Sequence, residues 1–85
     1  MNKIIVYGAE WCGFCHREMQ YLEKKNIPFD YKDIEKDEAA YNDLMGKVEK
    51  GFTGIPVTDI AGDIILGFDQ PKIDAAIAKH KIQSV

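Results

Sequence analysis

Apolar positions along the chain change their period from about two to about 3.6 and back, and the changes divide it into seven elements. Ile4-Ile5-Val6-Tyr7 is a β-branched and aromatic run that predicts a first strand over Asn2–Tyr7, ended by the small-residue turn Gly8-Ala9-Glu10. Cys15, Met19 and Leu22 then repeat at i, i+4 and i+7, which predicts a helix over about 13–25 with one apolar face. Lys24-Lys25-Asn26, with Pro28 beyond, marks its stop: basic residues suit a helix C-terminus and Asn suits a left-handed cap. Phe29 to Ile34 alternates apolar and polar side chains, the pattern of a second strand with one face on the core. Glu35-Lys36-Asp37-Glu38 opens a second helix with acids in its first turn; Tyr41, Leu44, Met45 and Val48 form its expected buried stripe and Gly51 its expected end.

Phe52-Thr53-Gly54-Ile55-Pro56 is a loop by composition, and Pro56 stands at the start of a third strand, Val57–Ile60, one of the few places where a sheet accepts proline. Ala61-Gly62-Asp63 is a tight turn into a returning strand, Ile64–Leu66. After Gly67-Phe68-Asp69, Asp69 or Gln70 caps a third helix with Pro71 in its first turn and Ile73, Ala76, Ile77 and His80 at helical spacing. The order is β-α-β-α-β-β-α, an α/β fold with a four-stranded mixed sheet flanked by three helices. Its first two strands are expected to be parallel through a right-handed crossover and its last two antiparallel.

Length and charge narrow the function. Eighty-five residues are expected to form a single domain over 1–85. With 46 % hydrophobic and 29 % charged residues the composition is that of an ordinary globular domain, and 11 Lys plus Arg against 14 Asp plus Glu give a net charge of −3. Mild acidity argues against nucleic acid and anionic membrane surfaces as partners. The apolar runs are far short of the ~20 residues a membrane span requires, and Met1-Asn2-Lys3 leads into too short a run for a signal peptide. A cytoplasmic location is the expectation.

Both cysteines fall in Trp11-Cys12-Gly13-Phe14-Cys15, at the join of the first strand and first helix. Residues so close enclose too short a loop to staple a fold, so in a reducing compartment the pair reads as catalytic, redox-sensing or metal-binding. A thiol attacks a disulfide as thiolate. Cys12, at the helix N-terminus, faces unpaired backbone N–H groups, those of Phe14 and Cys15 foremost, together with the positive end of the helix dipole. Cys15 lies one turn deeper on the same face and is expected to stay protonated until needed. The sequence therefore predicts attack by Cys12 on a target disulfide, a mixed disulfide, and its resolution by Cys15. Gly13 lets a partner chain approach the backbone, and Phe14 offers a contact surface beside the sulfurs.

Other readings of these residues are plainer. Cys-x-x-Cys is also half a zinc site, but zinc wants four ligands and only His16 and His80 remain to join it, so no metal site is assigned. His16 is either a group that tunes the thiols or a solvated surface side chain, and His80 a helix residue at the surface. Trp11 reads as a partner contact, because its neighbour must be accessible.

The Cys-x-x-Cys helix, the Ile55-Pro56 step and the Gly67-Phe68-Asp69 turn, in that order and at that spacing, resemble the thioredoxin superfamily, and within it the glutaredoxin and NrdH-redoxin branch. The resemblance implies a thioredoxin-like fold and a dithiol oxidoreductase without a tightly bound cofactor. It implies that Pro56 is a cis-proline beside the cysteines and that Ile55 offers backbone groups to an extended thiol substrate. Gly67, Phe68 and Asp69 resemble the glutaredoxin loop that holds the γ-glutamyl end of glutathione, which makes glutathione a candidate co-substrate. Ala9 stands where dithiol glutaredoxins commonly carry a lysine for the glutathione carboxylate, and the run from Gly51 to Gly67 is closer to NrdH-redoxins, which are reduced by thioredoxin reductase and pass electrons to ribonucleotide reductase. Either way the expected partners are disulfide-bearing proteins and a reductant, met by a monomer. The reading from a different class is a [2Fe–2S] or zinc module shared between two chains through Cys12.

Overall fold

The computed structural model of the chain describes residues 3–48 and 54–84. Its elements are β1 (Ile4–Gly8), α1 (Gly13–Lys24), β2 (Asp30–Asp33), α2 (Glu38–Val48), β3 (Val57–Ile60), β4 (Asp63–Leu66) and α3 (Gln70–Lys79), the expected order. Asn2, the first residue of the expected strand, and Gly51, Phe52 and Thr53 lie outside the described residues. The strands form one sheet in the order β2-β1-β3-β4. β1 and β2 are parallel, with Val6 opposite Tyr31, and β1 and β3 antiparallel, with Val6 opposite Thr58. β3 and β4 are antiparallel, with Thr58 opposite Ile65.

Alternation along the strands sends side chains to two separate cores. Ile4 and Val6 of β1, Ile60 of β3 and Ile65 of β4 pack with Leu22 of α1 and with Ile73 and Ala76 of α3. On the opposite face Tyr7 and Val57 pack with Leu44 and Val48 of α2. Helices α1 and α3 thus share one face of the sheet and α2 has the other.

Local chemistry explains the boundaries. Asn26 takes a left-handed φ of 56° after α1, as its place behind Lys24-Lys25 predicts. The hairpin between β3 and β4 is a two-residue turn in which Ala61 and Gly62 both have positive φ, 51° and 100°. Asp69 caps α3, its side chain accepting from the Lys72 N–H, with Pro71 in the first turn.

The second helix starts later than the acids suggest. The carboxylate of Asp33 accepts from the N–H groups of Glu35 and Lys36 and folds 34–36 into a turn, while Asp37 accepts from Ala39 and Ala40 at the true helix start. Its buried stripe is Ala40, Leu44 and Val48, with Met45 half-buried. Tyr41, expected in that stripe, is 45 % exposed: Ala40 faces the sheet, and its neighbour is turned some 100° away.

A polar network joins α2 to the sheet. Lys47 Nζ pairs with Asp59 at 2.7 Å and donates to Tyr7 Oη at 2.6 Å, and Tyr7 Oη donates to Asp43. Burial works against the charge on Lys47, but hydrogen bonds to Asp59 and Tyr7 outweigh it and hold the ammonium above its ordinary value.

Candidate active site

The site lies where β1 hands over to α1. Cys12 is the N-cap of α1, in extended conformation, and its sulfur accepts a hydrogen bond from the Cys15 N–H at 3.1 Å. Of the two amides expected to face that sulfur, Cys15 supplies the bond. The Cys12 N–H donates to Ala9 O at 3.1 Å, which fixes the turn before the helix. Cys12 and Cys15 are joined as a disulfide, with Cα atoms 5.2 Å apart. Cys12 is 5 % exposed and Cys15 wholly buried, so the first sulfur lies at the rim and the second behind it.

Cys15 packs directly on the sheet. A Cβ on Gly8 would lie 2.8 Å from Cys15 Sγ and 3.0 Å from its Cβ, so this strand position has no room for a side chain. The opening around the cysteines is aromatic: Trp11 is 68 % exposed and Phe14 61 %, and the guanidinium of Arg17 lies over the Phe14 ring, 5.6 Å from its centroid. Gly13, Phe14 and Arg17 line a surface pocket of about 210 Å³. His16 is a surface side chain whose Nε2 lies 2.7 Å from the carbonyl of Glu10.

The Ile55-Pro56 bond is cis, as the resemblance implies, with Pro56 buried and Ile55 half-buried. The Gly67 N–H donates to Pro56 O at 2.8 Å, bringing the turn after β4 against the proline, and Gly67 takes a φ of 78° that a side chain would resist. Phe68 is half-buried and meets Tyr21 of α1 edge-on at 5.7 Å. Asp69 has its carboxylate engaged at the N-terminus of α3. The two cysteines are brought together, and so are Pro56 and Gly67; Phe68 and Asp69 are tied to α1 and α3 respectively.

Glu18 is the residue that the apolar periodicity passes over. It is fully buried on the core side of α1, and one carboxylate oxygen, Oε2, accepts from the Thr58 hydroxyl of β3. The other, Oε1, has no partner, alone among the buried side-chain polar atoms of the described residues. Burial pushes the carboxyl up from 4.5 to about 7, with the Thr58 bond working the other way. Its sequence signal is its spacing: i+3 from Cys15 and i−4 from Leu22 set an acid in the middle of the apolar stripe. Among the described residues no group of three or more His, Cys, Asp or Glu side chains is arranged to hold a metal ion, and no helix is long and apolar enough to cross a membrane.

This cysteine-capped helix on a four-stranded mixed sheet, in a chain with a cis Ile55-Pro56 bond, has counterparts in known proteins. A family model described as Glutaredoxin matches residues 4–65. An uncharacterized glutaredoxin-like 8.6 kDa protein from the rubredoxin operon of Clostridium pasteurianum is 35 % identical over 77 residues, covering 89 % of this chain and 99 % of the relative. The crystal structure of the thioredoxin-like protein BC3987 superposes with a TM-score of 0.77 at 28 % identity, covering 87 % of this chain and 99 % of that one. The glutaredoxin-like NrdH-redoxin of Escherichia coli shares the fold, with a TM-score of 0.73 at 22 % identity over 85 % of this chain and 91 % of its own. The chain belongs to the glutaredoxin family, and its class is that of a glutaredoxin-like thiol oxidoreductase with the thioredoxin fold.

Proposed function

We propose that the protein is a cytoplasmic, single-domain dithiol redoxin that reduces protein disulfides or glutathione mixed disulfides, with Cys12 as nucleophile and Cys15 as resolving thiol. The observation that carries this reading is the asymmetry of the pair. Cys12 caps α1 at the rim and accepts the Cys15 N–H, an environment that favours a thiolate. Cys15 is sealed behind it, where burial favours the neutral thiol. The reduced Cys12 thiolate attacks one sulfur of the target disulfide and expels the other; Cys15 then attacks Cys12 Sγ and releases the target as a thiol.

The surroundings support an extended thiol substrate. Trp11 and Phe14 flank the rim sulfur and give a partner large, rigid contact area. Ile55, ahead of the cis-proline Pro56, has backbone groups suited to pairing with the substrate strand. Gly67, Phe68 and Asp69 serve the γ-glutamyl end of glutathione: the Asp69 carboxylate matches an ammonium, and the start of α3 matches a carboxylate. No tightly bound cofactor is part of this reading; glutathione is a co-substrate.

The second reading is an NrdH-like redoxin, reduced by thioredoxin reductase and serving ribonucleotide reductase. It is favoured by Ala9, a fully buried small side chain where dithiol glutaredoxins commonly have a lysine for the glutathione carboxylate. The two are separated by following NADPH oxidation with the oxidised protein, offered glutathione plus glutathione reductase in one reaction and thioredoxin reductase in another. Turnover with the glutathione system supports the first reading, and turnover only with thioredoxin reductase the second. Turnover with neither overturns both.

A further inference from the structure

We propose that Glu18 is the proton acceptor for Cys15 in the step that closes the disulfide and releases the target. The proposal rests on the reading of Cys15 as the resolving thiol and adds the group that makes it a nucleophile.

Cys15 must be protonated while it waits and ionised when it attacks, yet it is fully buried, out of reach of bulk water. Glu18 stands one turn further along the same face of α1, about 4.5 Å in helical rise, where side chains at i and i+3 are neighbours. Both point into the layer between α1 and the sheet. Cys15 Sγ abuts Gly8 of β1, and Glu18 reaches Thr58 of β3, which pairs with Val6. Gly8 and Val6 are two apart on β1 and share a face, so the thiol and the carboxyl occupy successive positions in one buried layer.

Of the other groups facing that layer only Tyr31 of β2 titrates: its ring lies 3.3 Å from the Gly8 Cβ position, and burial holds its phenol above its ordinary value, so it stays protonated at neutral pH. β1 offers Val6 and Gly8, β3 offers Thr58, β4 offers Ile65 and α3 offers Ile73. The charged side chains nearby, Lys25 of the α1 C-cap and Asp74 of α3, pair with each other, and Tyr21 of α1 donates to Asp74, all toward solvent. Cys15 is the titratable neighbour of Glu18 on the buried face of α1. A buried carboxylate oxygen without a partner is costly, and apolar packing of α1 has no need of one. An acceptor of this kind works best when its own titration lies close to the working pH, and burial sets the Glu18 carboxyl at about 7.

The step balances as follows. With Cys12 joined to the target sulfur, the Cys15 proton passes to Glu18 Oε1. The Cys15 thiolate pair then forms the bond to Cys12 Sγ, and the bond between Cys12 and the target sulfur breaks. The target sulfur leaves with that electron pair and takes a proton from water, and Glu18 gives up its proton when the disulfide is next reduced. Two electrons move from the dithiol to the target.

The test mixes the reduced full-length protein with dithiobis(nitrobenzoate) in a stopped-flow series over pH. Cys12 attack releases a first coloured thiolate and resolution by Cys15 a second. Nitrothiobenzoate leaves without needing a proton, so the second phase reports loss of the Cys15 proton alone. The wild-type second phase should accelerate through an inflection near pH 7, and Glu18→Gln should lose that inflection and slow by on the order of 100-fold at neutral pH, with the first phase unchanged. Thr58→Val removes the bond that favours the ionised carboxyl and should move the inflection to higher pH; it reads the proposal even where Glu18→Gln does not fold. A Glu18→Gln second phase with wild-type rate and inflection, or a Thr58→Val inflection that does not move, overturns the proposal while leaving the redoxin reading intact. Loss of the first phase from the wild type, or its survival in Cys12→Ser with Cys15 as the attacker, overturns the redoxin reading instead.

Discussion

Cys15 Sγ occupies the space that a side chain on Gly8 would need, with 2.8 Å between the sulfur and the position of a Cβ. The first strand therefore sets the depth of the second cysteine. Gly8→Ala forces either the sulfur or the strand to move, since the Cys15 Cβ and the Tyr31 ring close the other sides at 3.0 and 3.3 Å. The expected cost is about 1–3 kcal/mol, or a melting temperature lower by several degrees for a chain of this size. Thermal unfolding of the oxidised protein checks it, and an unchanged midpoint would show that the contact is not tight.

Glu18 predicts an unusual pH dependence of stability. Its folded value, about 7, lies above the ordinary 4.5, so the folded chain holds this proton more tightly than the unfolded one. The favourable contribution is complete below about pH 4.5 and is lost as pH rises to about 7, with no further change above. The displacement corresponds to roughly 3 kcal/mol at about 1.4 kcal/mol per unit. In urea titrations of the oxidised protein, Glu18→Gln should gain stability relative to wild type by an amount of that order across the same interval. Parallel pH profiles for the two proteins would contradict the burial of an ionisable Glu18.

On the other face, Lys47→Met removes the partner of Asp59 and the donor to Tyr7. Both acceptors are then left with less than they need, and a loss of about 1–2 kcal/mol is expected. Disulfide reduction should be unaffected, because α2 packs against the side of the sheet away from α1 and α3. Denaturant unfolding and a turnover assay on the same variant separate the two effects.

Asp69 is given two tasks, and two substitutions divide them. Asp69→Ala loses the cap at the Lys72 N–H, worth about 1 kcal/mol. Asp69→Asn keeps a capping oxygen and removes the charge, so stability should hold while KM for glutathione rises. An unchanged KM in Asp69→Asn would remove Asp69 from the glutathione site.

Much of this was legible in the sequence, for identifiable reasons. β3 has the expected bounds because Pro56 and the Ala61-Gly62 turn punctuate it sharply. Cys12 at the start of α1 was legible because strand, small-residue turn and helical period meet there. Tyr41 was misjudged because Ala40 is too small to register as core, although it is the residue that faces the sheet. The start of α2 was misjudged because Asp33 uses its side chain to fold a turn, a competition that charge patterning does not reveal. Glu18 was missed because an acid in an apolar stripe reads as an interruption; only Thr58, forty residues away in sequence, makes it a buried partner.

The central claim is the division of labour between Cys12 and Cys15, and intact mass measurement of trapped adducts tests it most directly. Reduced Cys15→Ser incubated with glutathione disulfide should accumulate one glutathionyl adduct on Cys12, and Cys12→Ser should form none and reduce no dithiol-dependent substrate. Full turnover by Cys12→Ser, or an adduct on Cys15 in the wild type, would contradict the account.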